Sequence, residues 1–205
     1  MMRRNHYERN HHEQNHHTHG QVHHHEHRNL AAIKKIIDES DLSLKVKMQA
    51  IEVFTVLAKA EAKVHGKTIE EIHFHEVGAI DTIIDIVGSI LALEYLGIEK
   101  IYVSKLPTGS GFVKCAHGIM PVPAPATAEI IKQFPQRKGQ FERELLTPTG
   151  AALLAVLAEY KEDVPNDLVI DKIAYGAGSW DLSVPNVVRV FSGAIKKEEV
   201  SEETL

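Results

Sequence analysis

From Asn29 onward the apolar positions recur at helical spacing. Leu30, Ile33 and Ile37 lie three and four residues apart, which predicts a helix with one buried stripe. Ser40 and Asp41 offer a cap for a second helix carrying Leu44, Met48, Ile51, Phe54 and Leu57. Gly66 can close that helix, because glycine takes the left-handed closing conformation without steric cost. Residues 29–65 therefore read as a helical hairpin. Thr68 and Glu71 make a capping-box pattern for a short turn, after which residues 72–77 read as a strand. A long helix follows over 79–96, with Ile80, Ile83, Ile84, Ile86, Val87, Ile90 and Leu91 around most of its circumference and Gly97 as its stop. At about 100° per residue, Asp81, Thr82, Asp85 and Ser89 fall within a stripe of roughly 100°. A mostly buried helix with one narrow polar stripe has to aim that stripe at something polar. Residues 101–106 read as a second strand. The expected unit is β-α-β, with a parallel pair and a right-handed crossover.

Beyond this point the pattern breaks into shorter pieces. Thr108-Gly109-Ser110-Gly111 reads as a turn, residues 112–115 as a short strand, and Pro121-Val122-Pro123-Ala124-Pro125 as an extended lead into a helix over 126–134. Thr147 and Pro148 supply an N-cap and a first-turn proline for a helix reaching Tyr160. Residues 169–175 and 187–191 read as strands joined by the loop Gly176-Ala177-Gly178-Ser179-Trp180-Asp181. The expected class is α/β: a helical hairpin, a β-α-β unit, then further mixed strands and helices. The domain spans residues 28–195, with a charged tail over 196–205.

Residues 1–27 change this picture. They hold ten of the chain's fourteen histidines among Asn, Glu, Gln and Arg, with Val22 the only aliphatic residue after the methionine pair. Nothing there drives a core, so the expectation is a disordered segment that binds divalent transition metals by composition. With it set aside, the 205-residue chain supports one sizeable core. A net charge of −5 and no basic stripe with interleaved aromatics exclude a nucleic-acid footprint. No apolar run approaches the ~18 residues of a membrane span. The single cysteine, Cys115, excludes an intrachain disulfide and fits a reducing cytosol. The expectation is a cytoplasmic protein with no nucleic-acid or membrane partner.

The chemistry concentrates at His73-Phe74-His75-Glu76-Val77-Gly78-Ala79-Ile80-Asp81 and at Asp85. On an extended strand His73 and His75 point to one face, and on the following helix Asp81 and Asp85, four apart, share another. Two imidazoles and up to three carboxylates can therefore converge on a borderline divalent ion such as nickel or zinc. The alternative is a half-exposed strand with incidental polar groups, with Asp81 serving the helix dipole. Cys115 and His117 can lend a thiolate and an imidazole to the same place, although a lone cysteine in a turn is more often structural. Thr108, Gly109, Ser110 and Gly111 can cradle an anion through backbone N–H groups but lack the P-loop lysine. The helix start at Thr147, Thr149 and Gly150 is the better anion site, and capping alone explains it equally well.

Together with His73 to Asp81, four further stretches resemble the LarC nickel-insertion proteins. They are Leu106 to Gly111, His117-Gly118-Ile119-Met120-Pro121-Val122-Pro123-Ala124-Pro125-Ala126-Thr127, Leu146 to Ala152, and Tyr175 to Gly178 followed by Pro185-Asn186-Val187. The likeness covers about residues 28–195, in order, and the His-rich stretch corresponds to an internal loop of that family. It implies nickel insertion into pyridinium-3,5-bisthiocarboxylic acid mononucleotide, a lyase-class step that completes the nickel-pincer nucleotide cofactor of lactate racemase. It also implies CTP and a divalent cation, manganese or magnesium. On this reading His73, His75 and Glu76 present Ni²⁺, while Asp81, Asp85 and His117 position the site or accept a proton. Thr108–Gly111 and Thr147, Thr149 and Gly150 take the phosphate. The family opens with a strand and an Asp-x-Phe-Ser-Gly segment and closes with a CTP-binding C-terminal domain. The expectation is therefore an incomplete chain, inactive alone, with a separately encoded C-terminal half as partner and a homo-oligomer as its assembly. The competing reading is a nickel storage or delivery protein without catalysis, in which the His-rich segment does the binding.

Overall fold

The computed structural model describes residues 28–74, 80–115 and 118–196. His75, Glu76 and His117, and the His-rich segment, lie outside them. In chain order the elements are α1 (Leu30–Asp38), α2 (Leu44–His65), α3 (Ile80–Tyr95), β1 (Ile101–Val103), β2 (Leu106–Gly109), β3 (Phe112–Cys115) and β4 (Gly118–Pro121). They continue with α4 (Pro125–Ile131), β5 (Gln136–Lys138), α5 (Pro148–Leu157), β6 (Ala158–Tyr160), β7 (Leu168–Ala177) and β8 (Val187–Ile195).

The helical hairpin forms as its periodicity requires. Leu30, Ile33 and Ile37 of α1 are all buried, and Asn29 caps the helix by accepting the Ala32 N–H at 2.9 Å. The cap of α2 is Ser43, not Ser40 or Asp41: its hydroxyl accepts the Val46 N–H, while the Ser40 hydroxyl donates to the Ile37 carbonyl and closes α1 instead. Gly66 ends α2 in the left-handed region with φ 61°. The buried face of α2 is Val46, Ala50, Val53, Phe54 and Leu57, and the expected stripe slips, leaving Leu44 and Met48 exposed. This helix is the centre of the core, packed on by α1, α3, α4 and α5.

Half of the first strand expected in the β-α-β unit, residues 75–77, lies outside the described residues; among the described ones His73 forms an isolated antiparallel bridge to Asn29. The predicted strand at 101–106 divides at Ser104 and Lys105 into β1 and β2, which take different partners. β1 pairs in parallel with β6, Ile101 opposite Ala158, and β2 pairs in parallel with β5, Leu106 opposite Gln136. The helix expected to reach Tyr160 stops at Leu157. Ala158 turns extended (φ −118°, ψ 146°) and the chain runs on as β6 beside β1, exchanging the last turn's helical bonds for a ladder. The expected all-round burial of α3 is corrected as well. Thr82, Ile83, Ile86 and Ile90 face the core, while Ile80, Ile84, Leu91 and Tyr95 are exposed, because within the described structure α3 packs along a single face, on α2 and α5.

Two antiparallel ribbons complete the molecule. β3 and β4 pair from Phe112–Pro121 to Cys115–Gly118. β7 and β8 pair over their whole length, with a register shift between Ile170 and Lys172. A Cβ on Gly193, opposite that shift, would lie 1.9 Å from the Val169 carbonyl oxygen, so the crossing tolerates no side chain there.

Candidate metal and substrate site

Ile72 and Phe74 are buried and His73 between them is exposed, the alternation of an extended segment with one face on the core. Phe74 packs edge-on against Phe54 of α2, with ring centroids 6.4 Å apart, which anchors the segment to the centre of the core. The Phe74 N–H donates to the Arg28 carbonyl at 3.2 Å, and His73 pairs with Asn29. The imidazole of His73 is thus held outward beside the N-terminus of α1, at the point where residues 1–27 end. Leading into it, half of the expected capping box forms: the Thr68 N–H donates to Glu71 Oε2 at 2.9 Å and the Thr68 hydroxyl donates to the same oxygen at 3.2 Å, while the Glu71 N–H donates to the Thr68 carbonyl. The two Thr68 donors hold the Glu71 carboxyl below the usual carboxylate range.

Asp81 lies in the first turn of α3, where its Oδ1 accepts the Thr82 N–H at 2.8 Å. Asp85 is one turn further, also exposed, and the Ser89 hydroxyl donates to its carbonyl at 2.6 Å. Among the described residues no group of three or more His, Cys, Asp or Glu side chains converges as a metal site. The described half of the predicted cluster is therefore His73, Asp81 and Asp85 on exposed surface.

The two expected anion sites differ. Thr108 is buried, and the Ser110 N–H and hydroxyl both donate to the Phe141 carbonyl, at 3.1 and 3.0 Å. Gly109 (φ 81°) lies so close to the 139–145 segment that a Cβ would sit 1.8 Å from the Arg143 carbonyl oxygen, and a Cβ on Gly139 would sit 2.5 Å from Gly109 Cα. These glycines serve a backbone crossing, a role the Gly-x-Gly pattern alone does not distinguish from an anion cradle. At the start of α5 the Thr147 hydroxyl accepts the Gly150 N–H at 3.2 Å, with Pro148 and Thr149 in the first turn.

Trp180 is a feature that sequence reasoning left inside a loop. The Arg143 guanidinium lies 5.1 Å from the centroid of its ring, and the Asn186 amide donates to its carbonyl at 3.2 Å. Because Glu144 bridges Gly109, this contact ties the β7–β8 connection to the end of β2. The signal available in sequence was an exposed aromatic among glycines and polar residues.

The described elements, helices packed with short parallel and antiparallel strand pairs, are those of an α/β protein. The chain belongs to the nickel insertion protein family, which matches it over residues 2–205. Pyridinium-3,5-bisthiocarboxylic acid mononucleotide nickel insertion proteins are similar to it. That of Clostridium kluyveri is 49% identical over 186 residues, 90% of this chain and 46% of the relative. That of Clostridium acetobutylicum is 51% identical over 165 residues, 80% and 39% of the two chains. That of Desulfitobacterium hafniense strain DCB-2 is 46% identical over 179 residues, 87% and 44%. The chain spans about half the length of these relatives. No solved structure matches it. No helix among the described residues is long and apolar enough to cross a membrane.

Proposed function

We propose that this chain is the metal-handling half of an enzyme that inserts nickel into pyridinium-3,5-bisthiocarboxylic acid mononucleotide, a lyase-class reaction yielding the nickel-pincer nucleotide. The observation that carries this reading is the bridge between Asn29 and His73. It sets Asn29, two residues after a sequence segment with ten histidines, beside the outward-held imidazole. Neutral imidazole and carboxylate suit a borderline ion, and a histidine-rich composition favours gathering such ions from dilute solution.

In this reading Ni²⁺ is a substrate. His73, with His75 and Glu76 immediately after it in sequence, presents the ion. Asp81 and Asp85, and His117, position the site or accept a proton. The N-terminus of α5, with Thr147, Thr149 and Gly150, takes the substrate phosphate, since its remaining N–H groups and dipole favour an anion. Thr108 to Gly111 support it as scaffold. The donors of Ser110 are already spent on Phe141, so that turn does not fit CTP. We place CTP and its manganese or magnesium ion in the part of the relatives' length this chain does not span. With one cysteine, the working compartment is the reducing cytosol.

Nickel titration followed by calorimetry tests the site. Replacing His73, His75 and Glu76 together by alanine is expected to abolish the tight site that remains after residues 1–27 are deleted. Unchanged binding in that variant sinks the reading. The histidine content of residues 1–27 supports one alternative, nickel storage without catalysis. A storage protein loses nearly all its nickel with that deletion, whereas the insertion reading keeps one site in the domain.

A further inference from the structure

Trp180 is the only tryptophan of the chain, and it stands half exposed, at 51%. It belongs to a shallow, open depression of about 350 Å³ in the β7–β8 connection, lined by Trp180, Asp181, Leu182, Ser183, Val184 and Asn186 among others. That volume lies at the lower end of small-molecule sites and suits a six-membered ring with its sugar. The connection is not a slack loop. The Gly178 N–H donates to the Asn186 carbonyl at 2.8 Å, and the Asn186 amide donates to the Trp180 carbonyl at 3.2 Å. A Cβ on Gly178 would meet Asn186 Nδ2 at 2.5 Å, so a side chain there displaces the Asn186 amide that bonds Trp180.

The indole already holds a planar cation, the Arg143 guanidinium, against its ring. Indole is the strongest cation-π acceptor among side chains, and it stacks planar rings. A substrate whose ring is an N-ribosyl pyridinium is planar, permanently cationic at the ring and anionic at its substituents. It therefore matches an indole face for the ring and the Asp181 carboxylate, which lines the same surface, for ribose hydroxyls, with the Arg143 charge against the indole, outside that lining, as the counterpart of a ring carboxylate. The geometry points to Trp180 as the stacking platform for the pyridinium ring of the mononucleotide substrate. This rests on the substrate class proposed above. Arg143 and the Glu144–Gly109 bridge link the platform to β2, in the same domain as α5.

The lone tryptophan makes its own reporter. Nicotinic acid mononucleotide, an N-ribosyl pyridinium with one ring carboxylate, is the probe, titrated into the full chain while tryptophan emission and binding heat are followed. Saturable quenching is expected, with ribose 5-phosphate giving none. By calorimetry Trp180→Ala is expected to weaken binding about tenfold or more, and Trp180→Phe to restore most of it. Circular dichroism should show both variants folded, since the side chain is half in solvent. Quenching linear in probe concentration, with the slope of free N-acetyltryptophanamide, overturns the proposal as mere collision. Unchanged affinity in Trp180→Ala overturns the platform while leaving the mononucleotide reading intact. Nickel binding in Trp180→Ala should equal that of the parent, so a failure of the nickel reading appears in a different titration.

Discussion

Gly109 and Gly139 meet where two backbone segments cross with no room for a methyl group, and Gly109 also holds a positive φ. Gly109→Ala or Gly139→Ala is expected to cost about 1–3 kcal/mol from overpacking, read as a lower midpoint in urea. In α4, Thr127 is fully buried and its hydroxyl has no hydrogen-bond partner among the described residues. An orphaned buried hydroxyl costs free energy that an apolar isostere does not. Thr127→Val should therefore raise the thermal midpoint, with a gain of about 1 kcal/mol; a lower midpoint would show that the hydroxyl is satisfied. At this scale the sequence was partly legible. His73 stood out by residue type and its outward face by alternation with Ile72 and Phe74. Gly109 stood out too, but whether its missing side chain makes room for a ligand or for Arg143 depends on a partner 34 positions away.

Helix ends follow local rules, and the sequence reading of Gly66 and Thr147 holds: both act at helix termini, and the Thr68 N–H meets the Glu71 carboxylate at the expected spacing. Thr147→Ala is expected to destabilise by about 1 kcal/mol, measured by chemical denaturation. The start of α2 shows the limit, since Ser40, Asp41 and Ser43 are all competent caps and only the approach of α1 assigns Ser40 to the preceding helix. The end of α5 shows a stronger one. Ala155, Val156, Leu157 and Ala158 continue a helical pattern, yet β1 offers unpaired backbone at Ile101 to Val103 and draws Ala158–Tyr160 into a parallel pair. A non-local partner decides between two conformations of nearly equal local preference.

Across the whole molecule, the core centres on α2 and reaches the candidate metal site through the Phe54–Phe74 contact. Phe54→Ala is expected to cost about 3–5 kcal/mol, and because Phe74 carries His73 it should also weaken nickel binding in the domain. Acid acts on two carboxylates that join separate elements, half-buried Glu129 and exposed Glu162. Lys132 and Lys63, the latter from α2 at 2.9 Å, hold Glu129 below the carboxylate range, and Lys105 at 2.7 Å does the same for Glu162 beyond β6. Each carboxyl has a lower pKa folded than unfolded, so its contribution is present above the unfolded value of about 4.3 and is lost as pH falls through the folded value. Stability should be flat near neutrality with respect to these groups and decline below about pH 4.3, less steeply at high salt.

Sequence alone determined what depends on neighbours three or four residues away: the hairpin of α1 and α2, most caps, the β7 and β8 strands, and the clustering of histidine and aspartate around residues 73–85. Periodicity and side-chain chemistry are local, and local interactions suffice for them. Tertiary structure alone decided strand partners, which face of α3 is buried, the backbone crossing at Gly109, and the pairing of Trp180 with Arg143. Each of these joins residues far apart in the chain, and its free energy comes from surface buried or hydrogen bonds made only once both segments have arrived.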